Sequence, residues 1–266
     1  MGVTLMQVSS KLVSFLDRDN DFLIHYFEVG NLFNFLDSLH HYSPEAKKSA
    51  DFFLLNFLPL IAFLKSGEHF GVYIDSFTPN LFFKLESNSS GQFRAMLLPQ
   101  DFKTELQKIT GQCRVNKYSP RHPDPYVSHI ELADHDLTKI CSEVLKVSYQ
   151  TEARVLVDPS QNFSLLLSKI PNSPLAVSLD AYIEKRKALL QLPLAEWGQD
   201  GPTQLNSRNI TFTCNCSREQ FLPSLKQIYQ QDGEALFEKK HLTITCDYCK
   251  SVYNFSREDL LTFRPN

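Results

Sequence analysis

The sequence has no large excess of positive or negative charge, no long apolar run and no N-terminal segment that resembles a signal peptide. Its 266 residues carry 27 Lys and Arg against 30 Asp and Glu, a net charge of −3, so no overall basic field attracts nucleic acid or anionic lipid. The most apolar stretch, residues 52–64, contains Asn56 and Pro59 and is shorter than the about 20 residues that a membrane span needs. We therefore expect neither a membrane nor a nucleic-acid partner. Because no signal segment follows Met1, we expect a reducing cytoplasm.

Recognisable catalytic motifs are missing as well. Glycine is scarce, with 9 residues, and we find no phosphate loop, dinucleotide fingerprint or nucleophile elbow. The adjacent His40 and His41 point in different directions on a helix, and residues 134–136 (DHD) are typical of a solvated loop. Cys113 and Cys141 stand alone in apolar surroundings, where an inert buried thiol is expected. We predict that the protein is not an enzyme.

The chain has only six cysteines, and four of them form one pattern. Cys214 and Cys216 form a CxC pair, and Cys246 and Cys249 form a CxxC pair near the C-terminus. Two short chelating pairs of thiolates match the demand of a tetrahedral zinc ion. In a reducing compartment, clustered cysteines favour metal or redox chemistry over structural disulfides. We predict that these four residues bind Zn²⁺, either as a static ribbon or as a redox switch.

Local signals predict an α+β core over residues 1–171. The run Ser43-Pro44-Glu45 is typical of a helix start, with a hydroxyl N-cap and proline at the first helical position. A turn-forming run at residues 87–91 lies between two β-like segments and predicts a hairpin. The other predicted elements are a strand and then a helix within 10–42, strands at 69–77, 113–130, 154–158 and 163–169, and a helix at 137–147.

Residues 172–207 are predicted to be a helical linker with a polar tether. Ser173-Pro174 indicates a helix start, and the helix carries one apolar stripe, formed by Leu175, Leu179, Tyr182, Ile183, Leu189 and Leu190. Residues 208–266 then form the predicted zinc domain. That segment is too short for a large core, so we expect it to fold only with metal.

The cysteine segments carry a family resemblance. Residues 214–221 (CNCSREQF) and 244–255 (ITCDYCKSVYNF), followed by Glu258-Asp-Leu, resemble the heat shock protein 33 family of redox-regulated bacterial holdase chaperones. Weaker similarity extends over nearly the whole chain, including residues 148–150 (SYQ) and 163–171 (FSLLLSKIP). The chain departs from the family pattern where Tyr149 replaces a glutamate and where paired glycines before Leu165 are absent.

The resemblance implies a cytoplasmic chaperone that is inactive while Cys214, Cys216, Cys246 and Cys249 hold zinc. It implies that oxidants form the disulfides Cys214–Cys216 and Cys246–Cys249, that zinc leaves, and that the C-terminal region unfolds. Leu175, Leu179, Tyr182 and Ile183 would then become available to unfolding client proteins, because exposed apolar surface binds such proteins. It also implies a homodimer in the active state.

Two other functions compete with this interpretation. A static zinc ribbon that binds nucleic acid or the ribosome would need a basic footprint, but residues 206–266 carry eight Lys and Arg against seven Asp and Glu. A thiol oxidoreductase would place its CxxC at the start of a helix, whereas Cys246 follows a β-like segment and precedes another, at residues 251–255.

Overall fold

A computed structural model describes residues 10–158, 162–197, 201–237 and 242–262. The chain divides into two compact units, Met1–Phe212 and Thr213–Asn266. No helix in the described ranges is both long and apolar enough to cross a membrane. The predicted α+β class is confirmed: the first unit combines a large sheet with helices, and the four cysteines lie together in the small second unit.

Within the described residues, the first unit contains ten strands and four α-helices. The strands are β1 (Ser10–Asp17), β2 (Phe22–Glu28), β3 (His69–Thr78), β4 (Asn80–Asn88), β5 (Gln92–Leu98), β6 (Lys108–Tyr118), β7 (Tyr126–Asp136), β8 (Ala153–Asp158), β9 (Phe163–Lys169) and β10 (Thr203–Phe212). The helices are α1 (Leu32–His40), α2 (Pro44–Phe57), α3 (Leu137–Val144) and α4 (Leu179–Leu190).

All ten strands form one mixed sheet in the order β7-β6-β3-β4-β5-β10-β1-β2-β9-β8. Neighbouring strands are antiparallel except β5 and β10, which meet in parallel through Thr211 and Phe212. The same β10 pairs along its length with β1, from Ile210 opposite Ser10 to Thr203 opposite Leu16. Strand β10 therefore joins the hairpin strands β3–β5 to the N-terminal strands.

Side-chain alternation gives the β1-β2-β9 region two different buried faces. On one face, Ser164 donates a hydrogen bond to the Leu55 carbonyl of α2, and His25 lies edge-on to Phe63. The other face forms an apolar cluster with α4 and the segment after it. This cluster contains Val13, Phe15, Phe22, Ile24, Tyr26, Phe163, Leu165, Leu167, Leu179, Tyr182 and Leu190. Helix α4 is therefore packed on the sheet.

Several predicted elements are found where local signals placed them. Ser43 caps α2 by accepting a hydrogen bond from the Ala46 amide, and β4 and β5 form the predicted hairpin. The helical segment after Ser43 continues as a 3₁₀ helix over Leu58–Phe63, because Pro59 has no amide hydrogen for an α-helical bond. Asn162, one of the residues that stand in place of the paired glycines, adopts a left-handed φ of 53°, which asparagine tolerates.

Two expectations about the linker differ from the structure. Helix α4 begins at Leu179 rather than after Ser173, because Ser178 supplies the N-cap by accepting from the Ala181 amide. The expected tether up to residue 207 and the start of the expected zinc domain at 208 both fall within β10, a strand of the large sheet. Pairing with β1 supplies backbone partners that the turn-rich sequence around 193–207 did not indicate.

The second unit contains α5 (Arg218–Asp232), the antiparallel hairpin of β11 (Leu242–Thr245) and β12 (Val252–Phe255), and α6 (Arg257–Thr262). Among the residues that the structure describes in this unit, four form a buried core: Leu222, Leu225, Phe255 and Leu260. Partly buried rings and aliphatic chains surround them, including Phe221, Tyr229 and Tyr253. Such a small core provides limited stability to a unit of this length.

Candidate metal centre

Two separate segments bring cysteines to one point in the second unit. Cys214 and Cys216 lie in the non-helical segment before α5. That segment ends at Ser217, whose hydroxyl accepts a hydrogen bond from the Gln220 amide and caps the helix. Cys246 and Cys249 lie in the turn between β11 and β12. The structure thus provides one chelating pair before a helix and one in a hairpin.

Backbone hydrogen bonds close the CxxC turn. The Lys250 amide donates to the Cys246 carbonyl at 2.8 Å, and the Cys246 amide donates to the Ser251 carbonyl at 2.9 Å. Lys250 itself adopts a left-handed φ of 58°, which reverses the chain immediately after Cys249. The hairpin ladder from Leu242 to Phe255 holds this turn in place.

The four sulfur atoms all lie within 4.8 Å of one another. The Sγ atoms of Cys214 and Cys246 are 3.7 Å apart, and those of Cys216 and Cys249 are 3.2 Å apart. A tetrahedral zinc ion with Zn–S bonds of about 2.3 Å separates its sulfurs by about 3.8 Å. The geometry therefore fits one metal ion held by the four cysteines named in the sequence analysis.

Polar neighbours act on two of the four thiols. The Tyr253 hydroxyl donates to the Cys216 carbonyl at 2.9 Å and lies 3.2 Å from the Cys216 sulfur. The Ser251 hydroxyl lies 3.3 Å from the Cys249 sulfur. Groups of this kind orient metal ligands and tune their basicity. Neither was predicted as part of the site, although both lie within the 244–255 segment that carries the family resemblance.

These surroundings move the thiol pKa values in opposite directions. Burial raises the pKa of Cys214 and of Cys216 above the ordinary thiol value. Burial also opposes ionisation of Cys249, but hydrogen bonds from the Ser251 hydroxyl and backbone and from Cys216 outweigh it and lower the pKa to about 7. Among Cys214, Cys216 and Cys249, Cys249 is therefore the thiol whose surroundings favour the thiolate, which is the form that binds metals and reacts with oxidants.

Arg218 connects the elements around the cysteines. Its guanidinium lies 2.5 Å from the Asp259 carboxylate, donates to the Asn254 carbonyl and lies 5.0 Å from the centre of the Phe255 ring. The Ser256 amide also donates to Asp259. Arg218 thus ties the start of α5 to β12 and to the start of α6, so cysteine geometry and the small core depend on each other.

The apolar-stripe residues and the two isolated cysteines named in the sequence analysis lie in the first unit. Of the stripe residues, Leu179 and Tyr182 are buried, Ile183 is partly buried, and Leu175 is 36 % exposed. The cluster on the sheet therefore covers most of the stripe. Cys113 and Cys141 are buried, as expected, and burial raises the thiol pKa of Cys113 to about 12 and that of Cys141 further.

Comparisons with known proteins point to one family. A family model described as Hsp33 protein matches residues 10–256. Proteins named 33 kDa chaperonin from Streptococcus pneumoniae strains JJA and Hungary19A-6 are each 31 % identical over 99 residues, which cover 37 % of this chain and 32 % of each relative. The match thus spans about a third of those relatives.

A solved structure shows the same fold over nearly the whole length. The crystal structure of the 33 kDa chaperonin (heat shock protein 33 homolog) from Thermotoga maritima superimposes with a TM-score of 0.74. The alignment covers 95 % of this chain and 97 % of that chain at 16 % sequence identity. At that identity the likeness supports the fold alone.

Proposed function

The chain belongs to the Hsp33 family, and on that basis we propose that it is a molecular chaperone whose holdase activity is controlled by oxidation of its four clustered cysteines. The observation that carries the proposal is the convergence of four sulfur atoms within 4.8 Å in a small unit of its own. The family relationship supports the proposed chaperone activity, and the sulfur geometry supports its proposed control by oxidation.

In the reduced state, Cys214, Cys216, Cys246 and Cys249 would hold Zn²⁺. A set of four thiolates suits zinc, which takes tetrahedral sulfur ligands. The bound ion would keep the sulfurs as thiolates and contribute to folding of the unit. Structural zinc contributes on the order of 10–16 kcal/mol, which exceeds the stability expected from a core of four buried side chains.

Oxidation would remove the ligands. Each disulfide forms when two thiolates lose two electrons to one hydrogen peroxide, which takes up two protons and becomes two waters. Two peroxide molecules per chain therefore convert four thiolates into two disulfides and leave the metal as free Zn²⁺. We propose the pairs Cys214–Cys216 and Cys246–Cys249; peptide mass mapping distinguishes them from cross-pairs such as Cys216–Cys249, whose sulfurs lie 3.2 Å apart.

Loss of the ligands would unfold the second unit and uncover apolar surface. Leu179, Tyr182 and Ile183 are the proposed client-contacting residues once α4 is released, together with Leu175, which precedes the helix. Exposed apolar patches bind unfolding proteins without sequence specificity. A cytoplasmic location and a homodimer in the active state belong to the same proposal.

The test follows metal release and client protection together across a peroxide series at elevated temperature. Zinc release is measured with a chromogenic chelator, and protection is measured as light scattering of a thermally unfolding client. We expect both to rise together in the wild type. Zinc release without protection would instead favour a static zinc ribbon. Cys246→Ser should bind zinc weakly and protect clients without oxidant, whereas Cys113→Ala, which removes a thiol outside the cluster, should behave as the wild type.

A further inference from the structure

A surface cavity of about 410 Å³ lies in the first unit, where β6 ends and β7 begins. Its wall is formed by the turn at residues 65–68, the loop at residues 119–125 and the π-helical turn Leu145–Tyr149. The volume falls within the about 300–1,000 Å³ that small-molecule sites usually have. This cavity is therefore large enough for a ligand, and its lining includes neither the four clustered cysteines nor any residue of α4.

Local contacts keep the three segments of this wall in place. The loop at residues 119–125 contains three prolines, which restrict its backbone. Gly67 adopts a left-handed φ of 79°, and a Cβ atom there would lie 3.1 Å from the Pro120 ring, so the turn at residues 65–68 lies against this loop. The Ser148 hydroxyl is hydrogen-bonded to the Ser128 hydroxyl of β7, which holds the π-helical turn on the sheet. The shape of the cavity is thus fixed by the fold.

Cationic side chains outnumber carboxylates in the lining. One carboxylate, that of the buried Glu68, is already engaged: its Oε2 atom accepts a hydrogen bond from the Lys65 amide at 2.9 Å and lies 3.2 Å from the Lys117 ammonium. The Lys65 and Arg121 side chains have no salt-bridge partner among the residues that the structure describes, and Asp124 supplies the remaining carboxylate of the lining. The lining therefore carries a net positive charge.

Tyr149 contributes to this excess of positive charge. It lines the cavity at the position where the family pattern has a glutamate. A glutamate there would add a third carboxylate to those of Glu68 and Asp124 and would balance the three cations. The Tyr149 hydroxyl is buried and has no hydrogen-bond partner among the described residues, so this side chain acts through its lack of charge. The tyrosine thus keeps the lining positive in this chain.

We propose that the cavity binds a small phosphomonoester, whose phosphate group is held by Lys65 and Arg121. A phosphate group carries up to two negative charges and three acceptor oxygens near neutral pH, so it matches two cations better than a carboxylate does. The Arg121 guanidinium can form paired, charge-assisted hydrogen bonds to it, and Lys65 adds a compact charge. Tyr126 also lines the cavity and is 49 % exposed, which leaves a ring face for the organic part of the ligand.

The test is calorimetric titration of the reduced full-length protein with phenyl phosphate at about 0.15 M ionic strength, where charges beyond about 8 Å are screened. We expect a single site per chain. Inorganic phosphate should bind more weakly, because it leaves Tyr126 uncovered. Arg121→Gln should weaken the binding of phenyl phosphate about 10- to 100-fold. Lys146→Gln is the matched control, because Lys146 is exposed on the π-helical turn but does not line the cavity, and we expect it to change the affinity by less than about twofold.

A second pair of variants tests the charge argument. Tyr149→Glu introduces the carboxylate of the family pattern and should weaken the binding of phenyl phosphate at least about tenfold. Tyr149→Phe keeps the uncharged ring and loses no hydrogen bond, so it should bind within about threefold of the wild type. If Tyr149→Glu does not fold, Arg121→Gln still decides the proposal.

Three results would overturn the proposal. The first is the absence of saturable binding of phenyl phosphate to the wild type. The second is an affinity of Arg121→Gln no lower than that of Lys146→Gln, and the third is tighter binding of inorganic phosphate than of phenyl phosphate. The titration uses neither an oxidant nor a client protein, so its outcome is independent of the chaperone proposal.

Discussion

Phe255 provides a quantitative test of whether the cysteine unit folds only with its metal. Its side chain is fully buried in a core that contains three other buried residues, and Arg218 lies over its ring at 5.0 Å. Truncation of a buried phenylalanine to alanine costs about 3–5 kcal/mol. Since zinc contributes on the order of 10–16 kcal/mol, the metal-loaded Phe255→Ala variant should still fold.

The cost should appear instead in the zinc affinity. If the metal-free unit is unfolded, the free energy of folding is part of the free energy of metal binding. A loss of 3–5 kcal/mol then weakens apparent zinc binding by about 150- to 5,000-fold. If the metal-free unit is already stably folded, truncation reduces its stability but leaves the zinc affinity nearly unchanged. The two cases therefore differ by orders of magnitude.

The assay is competition for zinc against a chelator of known affinity, with the protein kept reduced. Val252→Ala is the matched control, because Val252 lies on the same strand but is 58 % exposed, and we expect it to bind zinc within about threefold of the wild type. A Phe255→Ala variant that binds zinc as tightly as the wild type would refute the coupling of folding to metal binding.

Two further predictions follow from single side chains. His25 is buried, and this burial, with a smaller effect of the Arg208 charge, lowers its pKa to about 4. In the unfolded chain the same imidazole takes up its proton near pH 6.5. The free energy of unfolding should therefore fall by up to about 3 kcal/mol as the pH drops from about 6.5 towards 4. Urea unfolding at several pH values measures this, and a His25→Gln variant that keeps the full slope would contradict it. Tyr253→Phe removes the hydroxyl that contacts Cys216 and should weaken zinc binding about 10- to 100-fold, measured by the same chelator competition; unchanged affinity would show that the hydroxyl does not support the site.

Local chemistry predicted much of the site and several elements. The spacing of Cys214, Cys216, Cys246 and Cys249 predicted their convergence, because each pair is a chelate whose two sulfurs are kept close by one or two intervening residues. The start of α2 followed from Ser43 and Pro44, because capping depends only on adjacent residues. These features depend on interactions within a few positions of the chain.

Such local signals could not predict contacts between residues that are far apart in the sequence. The sequence around 193–207 indicates a polar tether, yet Thr203–Phe212 becomes a strand because it pairs with Ser10–Asp17 almost two hundred residues earlier. Likewise, the stripe on α4 indicates an amphipathic helix, but nothing adjacent to it indicates that Asp17 would accept hydrogen bonds from Tyr182 and Arg186.

The sequence by itself determined that four thiols can hold one ion and that a mixed core precedes them, because chelate spacing, caps and alternation act between near neighbours. Only the tertiary structure decided that α4 is part of the first unit, that β10 completes its sheet, and that a carboxylate from β1 secures the helix. Strand pairing and burial join residues that are far apart in the chain, so the local sequence around one partner does not identify the other.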